Sequence, residues 1–61
     1  MEDLTKMELE GFSKLLTNEE TVIKKYKAYA RSCEDPALAK MCEDLAARHT
    51  QHYETILSEL Q

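Results

Sequence analysis

The stretch Ser32-Cys33-Glu34-Asp35-Pro36-Ala37-Leu38 decides the fold. Pro36 is the only proline in the chain. A proline has no amide proton and a fixed φ, so it suits the first turn of a helix and breaks the middle of one. Asp35, directly before it, is a good N-cap, because its carboxylate can accept from the orphan amides of the first turn. One helix therefore ends near Cys33 and another begins at Pro36, with residues 34 to 36 as the tight turn.

Working outward from the turn, both flanks carry amphipathic periodicity. On the N-terminal side Phe12, Leu15, Glu19, Val22, Tyr26, Tyr29 and Cys33 recur at intervals of three and four. On the C-terminal side Leu38, Cys42, Leu45, His49, His52, Ile56 and Leu60 do the same. Such spacing places each set on one helical face, the expected buried seam. The first helix is predicted from about Thr5 to Cys33 and the second from about Pro36 to Leu60. Thr5-Lys6-Met7-Glu8 and Thr17-Asn18-Glu19-Glu20 both have the form of a capping box. A start at Thr17, after a kink, is the alternative. The unbroken phase from Phe12 to Cys33 favours one long helix, and Gly11 weakens it by about 1 kcal/mol relative to alanine. No strand pattern competes, so the class is all-α: one antiparallel helical hairpin filling a single domain, residues 1–61.

A lone hairpin of this size buries too little apolar surface to outweigh chain entropy. Two antiparallel helices also leave apolar residues over. Leu16, Ile23 and Ala30 on the first helix, with Met41, Tyr53 and Leu57 on the second, are expected to remain uncovered. A homodimer making a four-helix bundle is the natural solution.

The net charge of −4 argues against nucleic acid as a partner. Lys24, Lys25 and Lys27 read as a solvated face, balanced in part by Glu43 and Asp44. No apolar run is long enough to span a bilayer. The acidic start Met1-Glu2-Asp3 does not resemble a secretory leader. A reducing, cytoplasmic setting is therefore expected, with Cys33 and Cys42 as free thiols behaving as small hydrophobes. Phe12, Tyr26, Tyr29 and Tyr53 read as packing residues. No phosphate loop, nucleophile elbow or CxxC pair is present, so a structural or assembly role is the first expectation, with a metal-binding or metal-dependent redox protein using Glu19, His49 and His52 as the alternative.

Three polar residues interrupt the two seams: Glu19, His49 and His52. Burying a carboxylate and two imidazoles is costly unless they are paired or bind a metal. Folding back at Asp35-Pro36 brings Glu19 level with the interval between His49 and His52. Two readings follow. Two imidazoles on one helix face and a carboxylate across from them suit iron, zinc or manganese. Glu20 and Glu54 could then add oxygen ligands or orient the imidazoles. Alternatively, the carboxylate and imidazoles hydrogen-bond across the interface and specify the pairing without metal.

Leu16-Thr17-Asn18-Glu19-Glu20, Ile23, Tyr26, Tyr29-Ala30, Asp35-Pro36-Ala37-Leu38 and His49-Thr50-Gln51-His52-Tyr53 together resemble the coat F type spore coat proteins of the ferritin-like superfamily. The resemblance spans about Leu16 to Leu60. It implies half of a ferritin-like bundle, a sporulating bacterium, a role in or near the spore coat and other coat proteins as partners. Di-iron members of that superfamily pair a glutamate on one helix with Glu-x-x-His on the next. Glu19 and His52 match the glutamate and the histidine. His49 stands where the pattern has glutamate, so the implied metal site is an altered one.

Overall fold

The computed structural model describes residues 4–60. The Met1-Glu2-Asp3 start lies outside them. Two helices, α1 (Lys6–Ser32) and α2 (Pro36–Ser58), pack against each other, and there is no strand among the described residues. No helix of the described residues is long and apolar enough to cross a membrane.

Each helix start is fixed by local chemistry. At α1 the Glu8 amide donates to Thr5 Oγ1 and the Thr5 amide donates to Glu8 Oε1, both at 3.1 Å. This reciprocal pair satisfies two donors that the helix itself leaves unmet. The Thr5 backbone amide, followed by its hydroxyl, holds the Glu8 carboxyl below the usual glutamate range. At α2 the amides of Ala37 and Leu38 donate to Asp35 Oδ1 at 2.9 and 3.3 Å. Pro36 occupies the first turn, where its missing amide costs nothing.

The second capping sequence is not used as one. α1 runs without interruption through Thr17 and Asn18. Thr17 Oγ1 instead donates back to the Ser13 carbonyl at 3.0 Å. A threonine inside a continuing helix has that acceptor one turn behind it, and so needs no cap role. α1 closes at Cys33, whose amide donates to the Tyr29 carbonyl at 2.9 Å. α2 ends at Ser58, slightly short of Leu60, where i to i+3 bonds from Glu59 and Leu60 tighten the last turn.

The packing differs from the expected seam in its rotation. Ala46 is the one buried residue among those described, at 4% exposure. Leu16, Ile23, Ala30 and Tyr53, expected to be uncovered, are half-buried. Leu15, Tyr29 and Leu38, expected in the seam, are exposed. The reason lies in two parallel apolar rows on α1. Leu15, Val22 and Tyr29 form one row at seven-residue spacing, and Leu16, Ile23 and Ala30 form the next. The second row ends in a small residue, and Ala30 and Ala46 line one shared hollow. Small side chains at a contact allow two helices to approach closely, so both helices turn toward that side. Met41 and Leu57 are exposed, as expected. At about 100° per residue, however, they lie on opposite sides of α2 rather than on one common face.

Of the acidic residues expected to balance the lysine face, Asp44 pairs with Lys40 Nζ at 2.6 Å on its own helix. Glu43 lies beside Lys27 and Arg31 along the hollow. Cys33 and Cys42 are free and half-buried.

Candidate metal centre

Glu19 is the middle residue of α1, and the antiparallel return of α2 brings His49 and His52 beside it. His49 Nδ1 lies 3.2 Å from Glu19 Oε1 and 3.1 Å from Oε2, centred on both carboxylate oxygens. His52 Nδ1 lies 3.6 Å from Oε2. The two imidazoles, one turn apart, stand edge to face with centroids 5.2 Å apart. Tyr26 stacks on His49 at 5.9 Å with the rings 18° from parallel. The ring is therefore held from one side by an aromatic face and aimed by the carboxylate.

The three residues differ in exposure. The Glu19 and His49 side chains are half-buried, at 18% and 25%, and His52 is 52% exposed. His52 thus belongs to the rim of the contact rather than to the seam the periodicity assigned it. The rotation of α2 toward Ala46 carries it outward.

This donor set fits a divalent cation. One ligand atom from each residue falls within 4.8 Å of the others. Ligands about 2.1 Å from a tetrahedral ion stand about 3.4 Å apart. The imidazole nitrogens here stand 3.1 and 3.6 Å from one carboxylate oxygen, on either side of that value. Three protein donors leave a fourth position open to water or to a further ligand. Without an ion, a proton on His49 Nδ1 would be donated to the carboxylate, so a metal and a proton compete for the same nitrogen.

Glu20 and Glu54 do not reach the imidazoles. Glu20 Oε1 accepts from Tyr53 Oη at 3.1 Å on the opposite side of the hairpin. That bond, and then the charge of Glu20, pushes the Tyr53 phenol above the ordinary tyrosine range. Sequence spacing contained this pair as well, since Glu20 and Tyr53 each follow a member of the triad. Glu54 is exposed, and no hydrogen bond or ion pair joins it to the histidines among the described residues. Cys33 and Cys42 flank the turn, Cys42 about two helical turns before His49 on α2. Cys33 Sγ points to the Asp35 carbonyl at 3.6 Å, a weak contact within the turn.

Comparison with protein-family models, with curated proteins and with solved structures gives no match.

Proposed function

We propose that this chain is a non-enzymatic metal-binding helical hairpin, half of a ferritin-like four-helix bundle, with Glu19, His49 and His52 as ligands. The observation that carries the reading is the convergence of the three donors at the midpoint of α1. Two nitrogens and one carboxylate oxygen suit zinc, iron or manganese alike. With one carboxylate and no Glu-x-x-His pair on α2, the hairpin lacks the oxygen-rich surroundings of a di-iron oxidation site. Its role is to hold an ion rather than to turn over a substrate.

A second reading is favoured by one specific contact. The Glu19 carboxylate lies within hydrogen-bond distance of His49 Nδ1 through both oxygens, the contact expected of a purely structural layer in a small coat-assembly protein of the spore-coat type. A homodimer, with other coat proteins as further partners, belongs to both readings.

Metal titration separates the two. The purified protein, stripped with chelator, is titrated with zinc, iron(II) and manganese(II). The metal reading expects one ion per chain, release of protons on binding, and affinity that weakens at lower pH, where protons compete for the ligand atoms. Glu19→Ala and His52→Ala should each abolish the binding. No saturable uptake by the wild-type protein leaves the structural reading alone.

A further inference from the structure

The two sides of the hairpin are unlike. His52 leaves α2 on one side of His49, and Tyr53, bonded to Glu20, leaves it on the other. At about 100° per residue this divides the remaining positions as well. The Tyr53 side holds two shallow hollows of about 360 and 280 Å³, which share Lys27 and Thr50. Lys24, Lys27, Arg31, Glu20 and Glu43 border them, so charged side chains rim that side along its middle, with Leu57 exposed toward one end. The His52 side carries the rows Leu15, Val22, Tyr29 and Leu38, Leu45, with Met41 beside them. Four of these, Leu15, Tyr29, Leu38 and Met41, are among the large apolar side chains left exposed, Met41 at 57%.

The hairpin also shows more surface than a chain of its mass should. Its accessible area is 4977 Å² for 7.1 kDa. A compact monomer of that mass shows about 4,100 Å², so the excess is roughly 900 Å². The radius of gyration, 14.5 Å over a rod 47 × 16 × 10 Å, exceeds the roughly 10.5 Å of a compact chain of this length. A specific protein interface removes about 800 Å² from each partner. The missing coverage therefore has the size of one copy laid along one side.

We infer that a second copy of this chain docks on the His52 side, over Leu15, Val22, Tyr29, Leu38, Met41 and Leu45, and that this docking encloses the metal centre. His52 is the ligand open to water in the single hairpin, and it lies on the face that the copy covers. Covering it removes competing water and fixes the imidazole rotamer, so metal affinity and dimerisation reinforce each other. The linkage rests on the metal reading above, whereas the docking face does not.

The test combines sedimentation equilibrium with zinc titration on the full chain. Tyr29→Lys and Met41→Lys place a charge on the proposed face at positions already exposed in the hairpin. Leu57→Lys does the same on the Tyr53 side. The wild-type protein should be a dimer in the micromolar range, and each variant of the His52 side should weaken it about 100-fold or more, with Leu57→Lys unchanged. Zinc affinity of the wild type should rise with protein concentration. In Tyr29→Lys, which keeps all three ligands, it should fall about tenfold or more at equal concentration. A wild-type protein that stays monomeric overturns the inference and leaves the metal reading intact. So does dissociation by Leu57→Lys and not by Tyr29→Lys. A dimer disrupted only through the His52 side, whose zinc affinity does not change with protein concentration, confirms the face and overturns the linkage; no saturable zinc uptake at all overturns the metal reading as well. In case a dissociated variant unfolds, Met41→Cys in a Cys33→Ala, Cys42→Ala background supplies a second readout. Its maleimide labelling should slow as protein concentration rises, and a rate independent of concentration overturns the docking.

Discussion

Removing the Glu19 carboxylate separates what it does as a hydrogen-bond acceptor from what it does as a metal ligand. In Glu19→Ala the half-buried His49 loses both of its carboxylate contacts, at 3.1 and 3.2 Å. An imidazole left without its partner in such a place costs about 1–2 kcal/mol, the lower part of the usual range because water still reaches the site. For a domain of this length each kcal/mol moves the melting temperature by roughly 4–8 °C, so the expected fall is about 4–16 °C. This loss should appear in the presence of chelator. Zinc at one hundred times its dissociation constant should add about 2.7 kcal/mol to the wild-type protein and nothing to the variant. The gap between the two proteins should therefore widen to about 4 kcal/mol on adding zinc. The assay is thermal unfolding by circular dichroism at one fixed protein concentration, since the melting point of a dimer depends on it. The paired change Glu19→Leu with His49→Leu supplies the contrast. It removes both polar partners and should be neutral or stabilising under chelator. A Glu19→Ala protein that melts with the wild type under chelator would refute the argued contact. An equal gap with and without zinc would refute the ligand role.

Three further outcomes follow from local features. Gly11→Ala should stabilise the protein by about 1 kcal/mol, because an added Cβ meets nothing within 4 Å and the backbone there has no positive φ; an unchanged urea midpoint would show that this turn of α1 is not helical. Asp35→Ala should cost about 1 kcal/mol through the two lost amide bonds at the start of α2, measured in the same way. Glu20→Gln should lower the pH at which Tyr53 ionises, followed by ultraviolet absorbance, since Glu20 is the main cause of its raised value. The sign for stability follows from that direction. The contribution of the Glu20–Tyr53 bond is complete below the unfolded tyrosine pKa and is lost as pH rises through the higher folded value.

What the sequence revealed and what it hid have separate physical causes. The turn at Asp35-Pro36 and the capping box at Thr5 are short-range chemistry, contained in three or four neighbouring residues. Once the turn is placed, antiparallel geometry alone sets Glu19 beside His49 and His52, because both helices rise by the same amount per residue. The rotation of each helix about its axis was not legible. α1 carries two adjacent apolar rows, and periodicity weighs Leu15, Val22, Tyr29 about as heavily as Leu16, Ile23, Ala30. The choice between them is made by fit, through the closeness that Ala30 and Ala46 permit. That choice moves His52 to the rim, draws Glu20 toward Tyr53 and exposes Leu15, Tyr29 and Leu38. The same ambiguity hides the docking face, since it is whatever the rotation leaves uncovered.

Ala46 as the one buried residue among those described has a mechanical consequence. An alanine methyl is a poor detent. Large interlocking side chains normally stop one helix sliding along another, and here there are few. What fixes the register is directional bonding: Glu19 to His49 and Glu20 to Tyr53 at the middle of the rod, and the short turn at its end. A slip of one turn would part Glu19 from His49 by about 5.4 Å along the axis. The polar residues that look costly in an apolar seam are thus the notches of a ratchet, and an ion bound between them would lock it.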